Sequence, residues 1–300
     1  NPPMPPRRVP FLATFVVSLL PVTSAFCAGA PAGPSLWYRQ PAKEWVEALP
    51  VGNGRLGAMV FGGVNQERLQ LNEDTLWAGG PYDPVNPQAK AALPEVRQLV
   101  FDGKYKEADR LIGAKVMAKP LGQMPYQTIG SLFLNFSGAT NVENYRRDLN
   151  LDTAVATVSY TANGVKFTRE VFSSPVDQVI VVRLTADKQE AISFTAGMKT
   201  PQKATVAVED GNTLVMRGVN GDSQGIKGAL KFETRVKVLA EGGFVSVLGA
   251  GDGLPGQGQH IVINKANSVT LLIAAATSYK RFNDVGGDPE ASVKKQIAAA

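Results

Sequence analysis

Apolar and polar residues alternate along most of the chain between residues 132 and 276, which predicts a long series of β-strands. Residues 154–160 and 165–171 each follow this period of two, and Asn163-Gly164 between them predicts a tight antiparallel hairpin. Residues 178–184 are rich in Val and Ile on both faces, as in a central strand. Further strands are predicted near residues 191–196, 205–208, 213–218, 230–240, 244–248, 260–264 and 268–276. Strands at such regular spacing favour a large antiparallel two-sheet β-sandwich.

The pattern changes between residues 94 and 112, after two predicted strands at 56–61 and 68–71. Pro94 suits the first turn of a helix, and the apolar spacing is helical on both sides of Gly103. The apolar positions are Val96, Leu99 and Val100 before Gly103, and Tyr105, Ala108, Leu111 and Ile112 after it. This spacing predicts a short helical hairpin inserted into the β-domain.

A last helix is predicted at the C-terminus. Asp288 is a suitable N-cap, Pro289 suits the first helical position, and Val293 and Ile297 begin an apolar stripe. The stripe continues to Ala300 without a capping glycine, so residues 285–300 are predicted to begin a helical linker.

The N-terminus has the pattern of an export signal. Arg7-Arg8 precede an apolar run at residues 11–20, and small residues follow at 25–30. This run is too short to span a bilayer, so we expect no membrane span and a periplasmic or extracellular protein. Residues 1–27 are predicted as the signal peptide, cleaved after Ala25 or Cys27, and residues 28–35 as a flexible lead. A twin-arginine route and a lipoprotein attached through Cys27 are alternatives to the ordinary secretory route.

Composition narrows the possible chemistry. The formal charge of +5 falls to +3 without Arg7 and Arg8, and it is too small and scattered for a nucleic-acid partner. A single cysteine allows no internal disulfide. A single histidine, His260, excludes a multi-histidine metal site, and its neighbours predict a strand-edge position. We expect neither a metal nor an organic cofactor.

The segment 45–81, WVEALPVGNGRLGAMVFGGVNQERLQLNEDTLWAGGP, is the most distinctive part of the chain. Its glycines permit tight turns and close backbone approach, and NEDTLW follows them. The segment resembles the opening of the N-terminal domain of glycoside hydrolase family 95. The resemblance continues in Tyr145-Arg146-Arg147, in the run 149–160, in Arg169-Glu170-Val171-Phe172 and in Ala276-Thr277-Ser278-Tyr279, so it covers nearly everything after residue 35.

This resemblance implies a β-sandwich at residues 36–284, followed by a linker to a catalytic (α/α)6 barrel that is missing from this chain. The best-known members of family 95 are inverting α-L-fucosidases, so the expected substrate is the terminal fucose of a glycan or oligosaccharide. An α-L-galactosidase of the same family and a noncatalytic carbohydrate-binding sandwich are the alternatives. The family's catalytic residues lie in the barrel, so none is assigned here, and the fragment alone is expected to be inactive.

Five residues are candidates for a position near the substrate or at the domain interface: Asn53, Arg55, Asn72, Glu73 and Trp77. Amides and carboxylates bind sugar hydroxyls, and an aromatic face packs on sugar C–H groups. The structural alternatives are that Glu73 or Asp74 caps residues 75–77, that Trp77 plugs the sandwich edge and that Asn53 forms a turn. Glu73 and Asp74 cannot flank one glycosidic bond, because adjacent residues of an extended chain point in opposite directions.

Two arginines and three aromatic residues are interpreted as structural and not as substrate-binding. The arginines Arg146 and Arg147 are expected to make surface ion pairs. The aromatics Trp37, Tyr38 and Trp45 are expected in the core or at an interface.

Overall fold

The computed structural model describes residues 33–136, 138–250 and 256–300, and these residues form a β-sandwich of two antiparallel sheets. The order in the nine-stranded sheet is β1-β6-β7-β8-β9-β16-β13-β12-β11, and in the seven-stranded sheet β14-β15-β10-β5-β4-β3-β2. The strands are β1 Ser35–Tyr38, β2 Leu49–Gly52, β3 Leu56–Val60, β4 Gln66–Glu73, β5 Gly130–Asn135, β6 Glu143–Asn150, β7 Val155–Ala162, β8 Val165–Ser174, β9 Val179–Ala186, β10 Ile192–Lys199, β11 Lys203–Glu209, β12 Thr213–Val219, β13 Lys231–Glu241, β14 Phe244–Leu248, β15 His260–Ala266 and β16 Ser268–Thr277.

The predicted strands and hairpin are confirmed. Asn163 and Gly164 have φ angles of 53° and 70°, the left-handed values that a two-residue turn needs to join β7 and β8. β9 is the middle strand of the nine-stranded sheet, and its Val179 and Val181 on the outer face are covered by Val293 and Ile297 of the C-terminal helix, which explains why apolar residues occupy both faces. The inward faces of both sheets form one continuous apolar core.

The helical hairpin is also present, but its predicted start at Pro94 is wrong. Helix α1 spans Ala89–Phe101, with Pro94 inside it, and α2 spans Tyr105–Leu111 and continues into a π-helical turn at Ile112–Val116. The buried Asn86 sets the true start, because its side-chain oxygen accepts from the Gln88 N–H and its carbonyl accepts from the Ala89 N–H. Asn86 also donates to the Met117 carbonyl, which ties the two ends of the insertion together.

The C-terminal helix α3, Pro289–Ala299, begins as predicted. The Asp288 carboxylate accepts a 3.0 Å hydrogen bond from the Ala291 N–H, and Pro289 occupies the first turn. Val293 is fully buried against the outer face of the nine-stranded sheet, where it meets Val179, Ala274 and Ala276.

Several structural interpretations need correction. Arg147 is not at the surface: it is buried and donates to the carbonyls of Gln40 and Glu47, whereas Arg146 does pair with Asp148 at 2.9 Å. His260 is not at a sheet edge. It is buried at the start of β15, which pairs with both β10 and β14.

The aromatics near the N-terminus of the sandwich are not core residues. Trp37 and Trp45 are 48% and 51% exposed, and Tyr38 is also exposed. Trp37 lies on the edge strand β1, where the guanidinium groups of Arg39 and Arg146 approach its ring. Their side chains remain available for an interface.

Within the described ranges, no helix is both long enough and apolar enough to cross a membrane. The predicted export signal and Cys27 lie outside the described residues.

Candidate functional site

One end of the sandwich gathers loops from both sheets around the NEDTLW segment, and we call it the loop end. The β2–β3 turn, the segment after β4, the β8–β9 turn, the β12–β13 connection and the residues after β16 meet here. The meeting is possible because antiparallel strands return the chain to the same end at every second turn. Four of the five candidate residues belong to this cluster.

Glu73 is the last residue of β4 and is only 3% exposed. Its carboxylate accepts from the Thr75 N–H at 2.9 Å and from the Thr75 hydroxyl at 2.7 Å, and it lies 3.3 Å from the Arg55 guanidinium. Burial raises the pKa of this carboxyl above its ordinary value. Glu73 therefore caps the turn at residues 75–77, and its oxygens are already committed to neighbours.

Arg55 joins the two sheets. It lies just before β3 of the seven-stranded sheet. Its guanidinium donates to the Gln178 side chain in the β8–β9 turn at 2.7 Å and to the Ala275 carbonyl in β16 at 2.7 Å, and both partners belong to the nine-stranded sheet. Asn53 forms the β2–β3 turn as predicted, since its side-chain oxygen accepts from the Leu56 N–H at 2.8 Å. It also donates to the Ser174 carbonyl at 3.0 Å, so the turn is fixed to the β8–β9 end.

Trp77 is 40% exposed, and its side chain is held by two contacts. Its indole N–H donates to the Asp74 carbonyl at 3.0 Å, and its ring makes an edge-to-face contact with Tyr126 at 5.3 Å between centroids. The Tyr126 hydroxyl in turn donates to the Glu73 carbonyl at 2.9 Å. The result is a fixed aromatic pair presented at the surface, not a plug of the sandwich edge.

Asn72 lies apart from this pair. It occupies the outer face of the seven-stranded sheet, in register with Gly57, whereas its neighbours Leu71 and Glu73 face inward. The alternation of a strand separates it from Glu73, so the structure does not bring Asn72 together with the other candidates.

Asn220, which sequence reasoning missed, is a buried side chain that ties the Trp77 loop to the β12–β13 connection. It is buried in the β12–β13 connection and donates to the carbonyls of Trp77 and Gly79, both at 2.6 Å, while accepting from the Leu230 N–H at 2.9 Å. Thr277 was missed in the same way: its hydroxyl meets that of Thr75 across the two sheets. No local pattern could reveal these contacts, because Asn220 and Trp77 are 143 residues apart in the chain.

Glu73 is not placed to act in acid–base hydrolysis. An inverting glycosidase needs two carboxyl groups roughly 6.5 to 9.5 Å apart with access to substrate and water. Glu73 is enclosed and capped, so it cannot protonate an external leaving group. Among residues 33–136, 138–250 and 256–300, no group of three His, Cys, Asp or Glu side chains could hold a metal ion.

The fold and this site define the chain as a two-sheet β-sandwich domain with an aromatic surface at one end. It belongs to the family described as "Glycosyl hydrolase family 65, N-terminal domain", whose model matches residues 36–281. The chain is thus a glycoside hydrolase N-terminal domain.

Its relatives include proteins named as fucosidases. "Alpha-L-fucosidase 2" of Arabidopsis thaliana is 35% identical over 81% of this chain and 30% of that protein. Proteins named "Probable alpha-fucosidase A" are 33% identical in Aspergillus niger, over 55% of this chain and 22% of that protein, and 27% identical in Aspergillus oryzae, over 89% and 37%. The chain therefore spans well under half of the length of each of these relatives, between 22% and 37%.

Proposed function

We propose that this chain is the N-terminal β-sandwich of an exported, inverting α-L-fucosidase of the family 95 type, which removes terminal fucose from glycans. The observation that carries the proposal is the 35% identity to a protein named alpha-L-fucosidase 2, over 81% of the chain. The proposed domains are the signal peptide at 1–27, the lead at 28–35, the sandwich at 36–284 and the start of the linker at 285–300. Catalysis is assigned to a barrel outside these 300 residues.

The loop end is proposed as the surface that meets this barrel beside the sugar cleft. Large exposed aromatic side chains are characteristic of interfaces, and Trp77 and Tyr126 form such a pair here. The polar groups behind them are already hydrogen-bonded to one another, so the surface is rigid before any partner arrives. A rigid surface loses little conformational entropy on docking and can position the loops of a neighbouring domain.

The proposal is tested first on activity. The complete protein and the 300-residue chain would be incubated with 4-nitrophenyl α-L-fucoside and 4-nitrophenyl α-L-galactoside, and the anomer released from fucosides would be identified by NMR. We expect the complete protein to release fucose with inversion and the short chain to release nothing. A clear preference for the galactoside would support the α-L-galactosidase alternative. Binding of fucosylated glycans without hydrolysis by the complete protein would support the noncatalytic alternative.

The role of the loop end is tested with Trp77→Ala in the complete protein, and Phe244→Ala provides a control at an exposed aromatic residue of β14, outside the loop end. Loss of kcat/KM with unchanged thermal stability would indicate contact with the substrate side. Parallel losses of activity and stability would indicate a domain interface. Near-normal values for Trp77→Ala, equal to those of the control, would refute both roles.

A further inference from the structure

The helical hairpin between β4 and β5 packs mainly on itself, and we call residues 86–117 the arm. Its helices α1 and α2 and the π-helical turn contact chiefly one another, whereas α3 packs on β13 and β16 of the nine-stranded sheet. The buried apolar residues of α1 and α2 are Ala92, Val96 and Ala108, all of small or moderate size. Helices of 13 and 7 residues are marginal in water without tertiary packing. The arm therefore has only a small core of its own.

The largest apolar side chains of the arm are exposed at its tip, where a turn at Gly103 joins the two helices. Phe101 is 81% exposed and Tyr105 is 68% exposed, and Val100 beside them is exposed as well. Leu93 is also exposed, and it lies about two helical turns before Val100 on the same face of α1. A group of large exposed apolar side chains marks a surface that a partner covers.

The base of the arm is fixed at the loop end by hydrogen bonds. The Lys119 N–H donates to the Pro84 carbonyl at 3.0 Å, which holds the entry and exit of the arm together. The Gln224 side chain, in the β12–β13 connection, donates to the Gly122 carbonyl at 2.8 Å. The chain then reaches Tyr126, which forms an antiparallel bridge with Trp77. The arm and the aromatic pair of the loop end therefore share one support, and one neighbouring domain can cover both.

We propose that the tip of the arm packs on the part of the complete protein that follows Ala300. The relatives supply the argument for this occupant, because the chain spans only 22% to 37% of their length, and the family model covers the arm within residues 36–281. Residues 89–111 carry five basic and four acidic side chains, a near balance that favours a protein partner over a nucleic acid or an anionic membrane. The inference rests on the proposed function for the existence of a further domain, and it is independent of the substrate and of the mechanism.

The first test compares amide hydrogen exchange of the arm in the complete protein and in the 300-residue chain, read by mass spectrometry. We expect residues 97–110 to exchange at least about tenfold more slowly in the complete protein, because docking stabilises the two helices. Equal exchange in the two proteins would overturn the proposal. Protection that appears in the 300-residue chain as its concentration is raised would identify a second copy as the partner and would also overturn it. The measurement uses no substrate, so its outcome is separate from whether the complete protein releases fucose.

The second test removes the aromatic tip with the double variant Phe101→Ala/Tyr105→Ala. In the complete protein we expect Tm to fall by about 2–4 °C, because both rings are buried there. In the 300-residue chain both rings are in solvent, so Tm should change by less than about 1 °C. Phe244→Ala, at an exposed aromatic residue of β14, is the control and should have the same small effect in both proteins. A double variant that lowers Tm equally in both proteins, or in neither, would show that the tip does not dock on a further domain.

Discussion

Replacing Asn220 by Ala should loosen the Trp77 loop and destabilise the whole sandwich. The variant removes two donors from the carbonyls of Trp77 and Gly79 and one acceptor from the Leu230 N–H. The Gly79 carbonyl keeps the Ala229 N–H as a donor, so the Trp77 carbonyl and the Leu230 N–H are the groups that lose a partner. Each such buried group costs about 1–3 kcal/mol, and water can reach the half-exposed loop, so we expect a total loss of about 3 kcal/mol. For a folded unit of this size, that loss lowers Tm by about 6–12 °C.

The assay is urea and thermal unfolding, with Trp77 as a local reporter. In a Trp37→Phe/Trp45→Phe background, Trp77 is the only tryptophan of the chain, so its emission reports directly on the loop. We expect a red shift in Asn220→Ala before global unfolding, because the ring loses its support and gains solvent. Asn220→Asp should be at least as destabilising, since it places a carboxylate oxygen against two carbonyls. Asn212→Ala, which loses a 3.2 Å bond to the Val238 carbonyl and a 3.1 Å bond from the Thr213 hydroxyl at a half-exposed site, should cost about 1 kcal/mol. A cost for Asn220→Ala no greater than this control would refute the reasoning.

Three further predictions concern the core, the site and the last helix. Arg169→Met should lower the free energy of unfolding in urea by about 3–5 kcal/mol, because it leaves the buried Glu67 carboxylate without its positively charged partner. Adding Glu67→Gln should recover much of this loss. Burial raises the pKa of the Glu73 carboxyl, so the folded state binds a proton there more tightly than the unfolded chain does. Lowering the pH from neutral toward 5 should therefore raise the Tm of the unmodified protein relative to that of Glu73→Gln. A Tm difference between the two proteins that does not change with pH would contradict this. Val293→Ala should cost about 2 kcal/mol in urea, whereas the exposed Lys295→Ala should cost no more than about 0.5 kcal/mol.

Local patterns were sufficient for the strands that were predicted, the hairpin and the Asp288 cap. The period of two is a property of each strand alone, and the left-handed turn at Asn163-Gly164 depends on only two residues. The start of α1 was missed because Pro94 satisfies the same rule at an internal position, while the true start depends on Asn86 and its contact with Met117. Helix boundaries that depend on tertiary contacts cannot be derived from propensity.

The predictions failed mainly for buried polar residues, and for one physical reason. Arg147 and Arg169 occupy inward-facing positions whose partners are backbone carbonyls or a carboxylate about a hundred residues away in the chain. A sequence pattern indicates that a charged residue interrupts an apolar face, but it does not indicate which groups will form hydrogen bonds or ion pairs with that residue. The same limitation hid Asn220 and Thr277, so the candidate site was predicted as a segment but not as a three-dimensional cluster.

The contacts at the loop end decide which part of NEDTLW can act on a partner. Glu73 is the only carboxylate of the segment that points inward, and its oxygens accept from Thr75 and lie against Arg55. Asp74 is exposed, but its carbonyl is used by the Trp77 indole. The surface of this segment therefore presents the aromatic pair of Trp77 and Tyr126, supported from behind by hydrogen bonds, together with the exposed Asp74 carboxylate. A Glu73 variant should therefore act through stability and a Trp77 variant through contact, and a complete protein in which Glu73→Gln lost kcat/KM at unchanged Tm would contradict this division of roles.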